Sequence, residues 1–173
     1  MKFINCCYET HAAEILEILN QAIISSTALY DYKPRTIDTM ANWFNEKSVN
    51  DFPVIAVLDA NDKIMGFATY GTFRAWPAFK YSVEHSIYIH QEHQGKGLGK
   101  VLLTKIIEAA KQQQYHTIIG GIDITNTGSI ALHEKLGFVH SGTIKEAGFK
   151  FGRWLDLGFY QLILHTPEHP VDG

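Results

Sequence analysis

Apolar positions along the chain switch between a period of two and a period near three and a half, and each switch marks an element. Residues 3–8 form a short β-type run, after which Thr10 can cap a helix whose apolar positions Ile15, Leu16, Ile18, Leu19, Ala22 and Ile23 recur at helical spacing. Residues 25–34 are irregular, with Tyr30 and Tyr32 among polar neighbours as candidates for a substrate wall. A second capped helix is predicted from about Thr36 to Lys47, carrying Met40, Trp43 and Phe44 toward a core. Residues 54–58 and 64–73 read as strands joined by the hairpin-type turn Asp59-Ala60-Asn61-Asp62-Lys63. Next comes Arg74-Ala75-Trp76-Pro77-Ala78-Phe79-Lys80-Tyr81, whose aromatic side chains need a surface or ligand to cover them. A β-branched strand over residues 83–89, a glycine-rich turn, a helix over 97–114, a strand over 117–122 and a short helix over 129–136 stopped by Gly137 follow. Residues 138–145 and 155–164 are predicted as two last strands, separated by a basic, aromatic excursion over 146–154. This order predicts a mixed α/β layered fold rather than a doubly wound sheet.

Composition narrows the setting. A length of 173 residues suits one domain with a sizeable core, and 46% hydrophobic against 19% charged residues is the balance of a globular protein. No apolar run approaches the roughly 18 residues that span a bilayer, and the first residues lack the long apolar stretch of a signal peptide, so the expected location is cytoplasmic, with no membrane partner. Cys6 and Cys7 are adjacent, and a disulfide between neighbours would be badly strained, so both are expected as reduced thiols. Net charge is −3 with no lysine and arginine run, which argues against nucleic acid. Nine histidines are scattered without a Cys-x-x-Cys or His-Glu-x-x-His spacing, so no metal is expected.

The chemistry concentrates on the strand that ends at Ile89 and the turn after it. A nucleoside-triphosphate loop needs Gly-x-x-x-x-Gly-Lys-Ser/Thr, but His90 stands five before Gly95 and Val101 follows Lys100. A dinucleotide fingerprint needs Gly-x-Gly-x-x-Gly, whereas Gly95, Gly97 and Gly99 alternate. The pattern Gln94-x-x-Gly97-x-Gly99 instead fits the signature of the GNAT superfamily of acyl-CoA N-acyltransferases. Physically, such a turn aims successive N–H groups at one pyrophosphate, and the following helix adds its dipole.

With Glu84-His85-Ser86-Ile87-Tyr88-Ile89, Asn126-x-x-Ser129-x-x-Leu132-His133-x-x-Leu136-Gly137-Phe138 and residues 148–156, the chain resembles the phosphinothricin N-acetyltransferase group, whose members acetylate phosphinothricin, methionine sulfone and methionine sulfoximine. The resemblance implies a GNAT-like fold, with a central, mostly antiparallel sheet of about seven strands flanked by about four helices. It implies a single N-acetyltransferase domain over residues 1–165 and a homodimer, while Pro167, Pro170 and the terminal glycine predict a frayed tail over 166–173. Acetyl-CoA is the implied co-substrate: Ile87, Tyr88 and Ile89 hold its pantetheine arm, Gln94, Gly95, Lys96, Gly97, Leu98, Gly99 and Lys100 cradle the pyrophosphate, and Asn126 and Ser129 reach it further along.

Arg74, Ala75 and Trp76, with Glu84, His85 and Ser86, are implied to line the side of a small-molecule amine. An α-ammonium must lose a proton before it attacks a thioester, and Glu84 matches the family's proposed base. Many GNAT enzymes hold a tyrosine in the short helix as proton donor to the thiolate; here that position is His133, which either donates that proton or hydrogen-bonds the sulfur. The alternatives are a protein N-terminal or lysine acetyltransferase and a non-catalytic acyl-CoA-binding sensor.

Overall fold

The computed structural model describes residues 1–173. Strands Lys2–Asn5 (β1), Val54–Leu58 (β2), Ile64–Thr72 (β3), Ser82–Ile89 (β4), Thr117–Asp123 (β5), Val139–Lys150 (β6) and Arg153–Ile163 (β7) join in one sheet, hydrogen-bonded in the order β1-β2-β3-β4-β5-β7-β6. The helices are Tyr8–Ser25 (α1), Ile37–Val49 (α2), Leu98–Gln112 (α3) and Thr127–Lys135 (α4). The predicted element order and the mixed, largely antiparallel sheet are therefore present; β4 and β5 pair in parallel, while β1–β2, β2–β3, β5–β7 and β6–β7 are antiparallel. No helix is long and apolar enough to cross a membrane. The chain forms two compact units, residues 1–69 with 86–105 and residues 70–85 with 106–173.

In the first unit, α1 buries Ala12, Ile15, Ile18, Leu19 and Ile23, a stripe that repeats every three to four residues. It begins two residues before the predicted cap. Cys7 is the N-cap, and its free N–H finds the Nδ1 of His11 at 3.1 Å, so a side chain one turn inside does the work expected of Thr10. Met40 and Phe44 of α2 meet that stripe together with Ala56, Phe67 and Tyr88. Cys6 packs against this cluster, and burial pushes its thiol up to about 12, so it stays protonated and unreactive.

In the second unit, β5 runs between β4 and β7, with Ser82 opposite Thr117 and Glu84 opposite Ile119 on one side and Thr117 opposite Ile163 on the other. The excursion expected over residues 146–154 is instead the end of a long hairpin: Gly148 faces Leu155, Phe149 faces Trp154 and Lys150 faces Arg153. Phe151 and Gly152 make the two-residue turn with φ of 52° and 73°, the left-handed pair that matches strand twist. The excursion reading misses this because the strand is interrupted earlier, where the register shifts between Ile144 and Gly148 around Glu146 at φ 51°. Residues 166–173 carry no helix or strand but are tied down: Thr166 Oγ1 donates to the Tyr115 carbonyl, and Val171 N–H donates to the Tyr81 hydroxyl at 3.1 Å.

Candidate active site

Glu84 lies on β4 between Val83 and His85, both of which are buried, so strand alternation turns it to the other face, where it is half-buried. Its Oε1 stands 3.0 Å from the point that a Cβ on Gly121 would occupy, so the bare backbone of β5 makes the room for the carboxylate. Burial raises the carboxyl's pKa, because the charged form loses water; the Arg74 guanidinium pulls the other way. Arg74 is exposed and oriented from its own neighbour, donating from Nη1 to the Phe73 carbonyl at 2.9 Å with its guanidinium 4.4 Å over the Phe73 ring. Phe73 in turn meets Phe79 and Phe159 edge-on. Ala75 and Trp76 are exposed beside it, with Trp76 at 74%.

His85, expected on the substrate side, faces inward. Its Nε2 lies 3.0 Å from Nε2 of His133, the rings stack with centroids 5.0 Å apart, and Phe138 packs edge-on against both. Partner chemistry sets the tautomers. His133 Nδ1 is 2.7 Å from the Ser129 carbonyl, which only accepts, so Nδ1 carries the proton and Nε2 holds a lone pair. His85 must then donate from Nε2, which leaves its Nδ1 as a bare acceptor; that atom is buried with no hydrogen-bond partner. Burial, reinforced by the neighbouring ring, lowers His85 to about 3, and burial lowers His133 also. The pair is neutral at physiological pH.

Asn126 is the N-cap of α4 and accepts the Ser129 N–H on Oδ1 at 3.1 Å. One turn back, Asp123 at the end of β5 accepts the Thr125 N–H at 3.0 Å and pairs with Arg153 of β7 at 2.6 Å, its own side chain only 1% exposed. Sequence reasoning missed this ion pair, because nothing in the spacing of Asp123 and Arg153 announces that β5 and β7 are neighbours.

In the other unit, Ser86, Ile87 and Ile89 are half-buried and Tyr88 is buried, its hydroxyl pushed up to about 12 by burial against a hydrogen bond with Ser86. His90 N–H donates to the Met65 carbonyl at 2.9 Å, and residues 91–93 form a single 3-10 turn. Gly95 and Gly97 then take φ of 74° and 77°, a left-handed conformation that glycine adopts without strain, with open space where each Cβ would be. Gln94, Gly95, Lys96, Gly97 and Lys100 are exposed, Gly99 is half-buried, and Leu98 anchors the start of α3 in the core. Gly95 and Gly97 thus leave the exposed stretch open immediately before a helix N-terminus, where backbone N–H groups point away from the helix.

Residues 14–138 match the acetyltransferase (GNAT) family. The chain is 40% identical over 158 residues to an L-methionine sulfoximine/L-methionine sulfone acetyltransferase of Salmonella typhimurium, covering 91% of this chain and 92% of the relative. It is 39% identical over 158 residues to the Escherichia coli L-amino acid N-acyltransferase MnaT, covering 91% of each. The crystal structure of a GNAT superfamily phosphinothricin acetyltransferase from Sinorhizobium meliloti in complex with AcCoA superimposes with a TM-score of 0.92 at 31% identity, covering 98% of this chain and 91% of that one. The chain belongs to the GNAT acetyltransferase family. Within it, the chain is an N-acetyltransferase similar to the methionine sulfoximine and phosphinothricin enzymes.

Proposed function

We propose that this protein moves acetyl from acetyl-CoA to the α-amine of a small amino-acid-like acceptor of the methionine sulfone, methionine sulfoximine or phosphinothricin kind, with Glu84 as general base. The observation that carries the reading is the half-buried Glu84 carboxyl, placed over the bare backbone of Gly121 and raised in pKa by desolvation, with the charge of Arg74 acting in the opposite direction. A carboxyl so raised holds a captured proton better than an exposed carboxylate does. The substrate-class reading draws on the Salmonella and Sinorhizobium relatives.

Acetyl-CoA supplies an acetyl thioester. The turn fits its pyrophosphate, because Gly95 and Gly97 leave open space and bare N–H groups in front of α3, with Gln94, Lys96 and Lys100 exposed around them. Ile87 to Ile89 would offer backbone groups to the pantetheine arm as an added strand does, and Asn126 and Ser129 stand at a second helix start. Arg74, flanked by Ala75 and Trp76, would hold the acceptor's carboxylate. Glu84, directly or through one water, takes the ammonium proton; the freed lone pair forms the C–N bond as the C–S bond breaks.

His133 supports the reading differently from a proton donor. Its one N–H is given to the Ser129 carbonyl and its Nε2 is taken by His85, so its part is to fasten α4 to β4 beside Glu84. The leaving sulfur needs no strong acid, because a thiol of ordinary pKa, about 8.5, departs largely as thiolate.

The test is thiol release from acetyl-CoA with a panel of methionine sulfone, methionine sulfoximine, phosphinothricin, polyamines and lysine- or alanine-terminated peptides. The expected result is turnover confined to the amino-acid analogues. Preferential turnover of peptides or polyamines would overturn the substrate class, and no turnover of any amine with acetyl-CoA bound would favour the sensor.

A further inference from the structure

The segment between β3 and β4 carries Arg74 and Trp76 of the proposed acceptor side, yet residues 74–80 are all exposed, so core packing does little to fix them. Their local order is one 3-10 turn, in which the Phe79 and Lys80 N–H groups donate to the Trp76 and Pro77 carbonyls at 2.9 and 3.1 Å. The turn is coupled to Arg74 through Phe73, whose ring meets Phe79 edge-on at 6.2 Å and lies 4.4 Å under the guanidinium. Tyr81 closes the segment. Its carbonyl accepts the His116 and Thr117 N–H groups at 2.8 and 3.1 Å, which fixes its backbone at the start of β5.

The end of the chain returns to the same place within this compact unit. Leu164 N–H donates to the His116 carbonyl at 2.8 Å, the Thr166 hydroxyl donates to the Tyr115 carbonyl, and the Thr166 carbonyl accepts from His116 Nδ1 at 3.0 Å. Further on, the Tyr81 hydroxyl accepts the Val171 N–H at 3.1 Å and donates to the Val171 carbonyl at 3.3 Å. Both bonds are to backbone, and the Val171 side chain is exposed. A cavity of about 470 Å³ separates the turn, at Pro77, Ala78 and Lys80, from residues 170–173, with Tyr81 joining the two. The tail thus crosses the turn at a distance and is pinned beside it by one side chain.

We propose that residues 166–171 are a strap across the turn at residues 77–79, and that Tyr81 is the positioning residue that fastens it. The strap sets how far the loop bearing Arg74 moves, and so sets the affinity for the acceptor; this rests on the reading of Arg74 as the acceptor's contact. Tyr81 is a fixed post because its backbone belongs to the sheet, and the cavity leaves the turn room to shift outward only as far as the tail. With the tail unfastened, residues 74–80 sample more positions, and an acceptor must restrict them as it binds.

Two readouts on the full-length protein test the strap. Hydrogen exchange across residues 74–81, followed by mass spectrometry without ligand, should be about two- to tenfold faster in Tyr81→Phe and in Val171→Pro, the factor for roughly one net hydrogen bond. Val171→Ala keeps both backbone groups and should exchange as the parent does. In thiol release with the amine that the parent turns over, Tyr81→Phe should raise the KM for that amine by a similar factor, while kcat and the KM for acetyl-CoA hold at parent values. A general loss of stability would not give that split. Parent-like exchange in both Tyr81→Phe and Val171→Pro would overturn the strap, as would exchange in Val171→Ala as fast as in Val171→Pro. A lower kcat with unchanged KM would overturn the positioning role. If the parent turns over no amine, the reading of the site fails, while the exchange still judges the strap.

Discussion

At the residue scale, three side chains of the proposed site, Glu84, His85 and His133, are set by their neighbours rather than by their type. Glu84 is held half out of water over Gly121, which raises its pKa, while Arg74 limits how far it rises. His85 and His133 are locked as neutral partners through the Ser129 carbonyl, and the unpaired His85 Nδ1 is the cost of that arrangement. Its consequence is acid sensitivity. An unfolded histidine takes up a proton near its model value of 6.5, whereas folded His85 resists until about 3, so the unfolded state gains protons first as pH falls. The stability that neutral His85 provides is complete above about pH 7 and is lost as pH falls through this window, amounting to about 2 kcal/mol by pH 5. Urea denaturation at several pH values should show that slope, and His85→Gln should flatten it whatever its absolute stability. Equal slopes in the two proteins would contradict the pairing. The sequence read Glu84 and His133 as site positions from a motif; the pairing of His133 with His85 was not legible, because it depends on β4 and α4 meeting across many residues of chain.

Among the elements, β4, β5 and the β6–β7 hairpin do the positioning. Hydrophobic period and turn residues made nearly every strand and helix legible, since local composition decides them. The misses are places where a non-local partner decides. α1 starts early because His11 answers the Cys7 N–H, and the hairpin continues through Gly148 because β7 pairs with it past a register shift. The Asp123–Arg153 pair is of the same kind, tying the end of β5 to the start of β7 with Thr125 as a further acceptor at 3.1 Å. Arg153→Ala would take the guanidinium from the buried Asp123 carboxylate and leave it the Thr125 N–H. Because the guanidinium is 43% exposed, the expected loss is about 2–3 kcal/mol, at or below the lower end for a broken buried pair. A denaturation midpoint unchanged at constant m would show that the pair contributes nothing.

For the whole molecule, residues 70–85 with 106–173 form the compact unit that holds Glu84, and residues 1–69 with 86–105 form the one that holds Ser86 to Ile89. The β6–β7 hairpin leaves Val139, Ile144, Phe149, Phe151 and Trp154 between 45% and 66% exposed, an apolar surface of the kind a second copy covers. Light scattering at micromolar concentration should give a homodimer, and Trp154→Glu should shift it toward monomer; a monomer for the parent protein would rule the dimer out. The proposed acetyl transfer turns on Glu84. Steady-state thiol release with methionine sulfone, measured across pH for the parent and for Glu84→Gln, tests it most directly. The parent rate should climb with pH through a carboxyl whose pKa lies above the ordinary range. The variant should lose that limb and about 100-fold or more in turnover, with acetyl-CoA affinity nearly intact. Turnover by Glu84→Gln equal to the parent across the pH range would contradict the account.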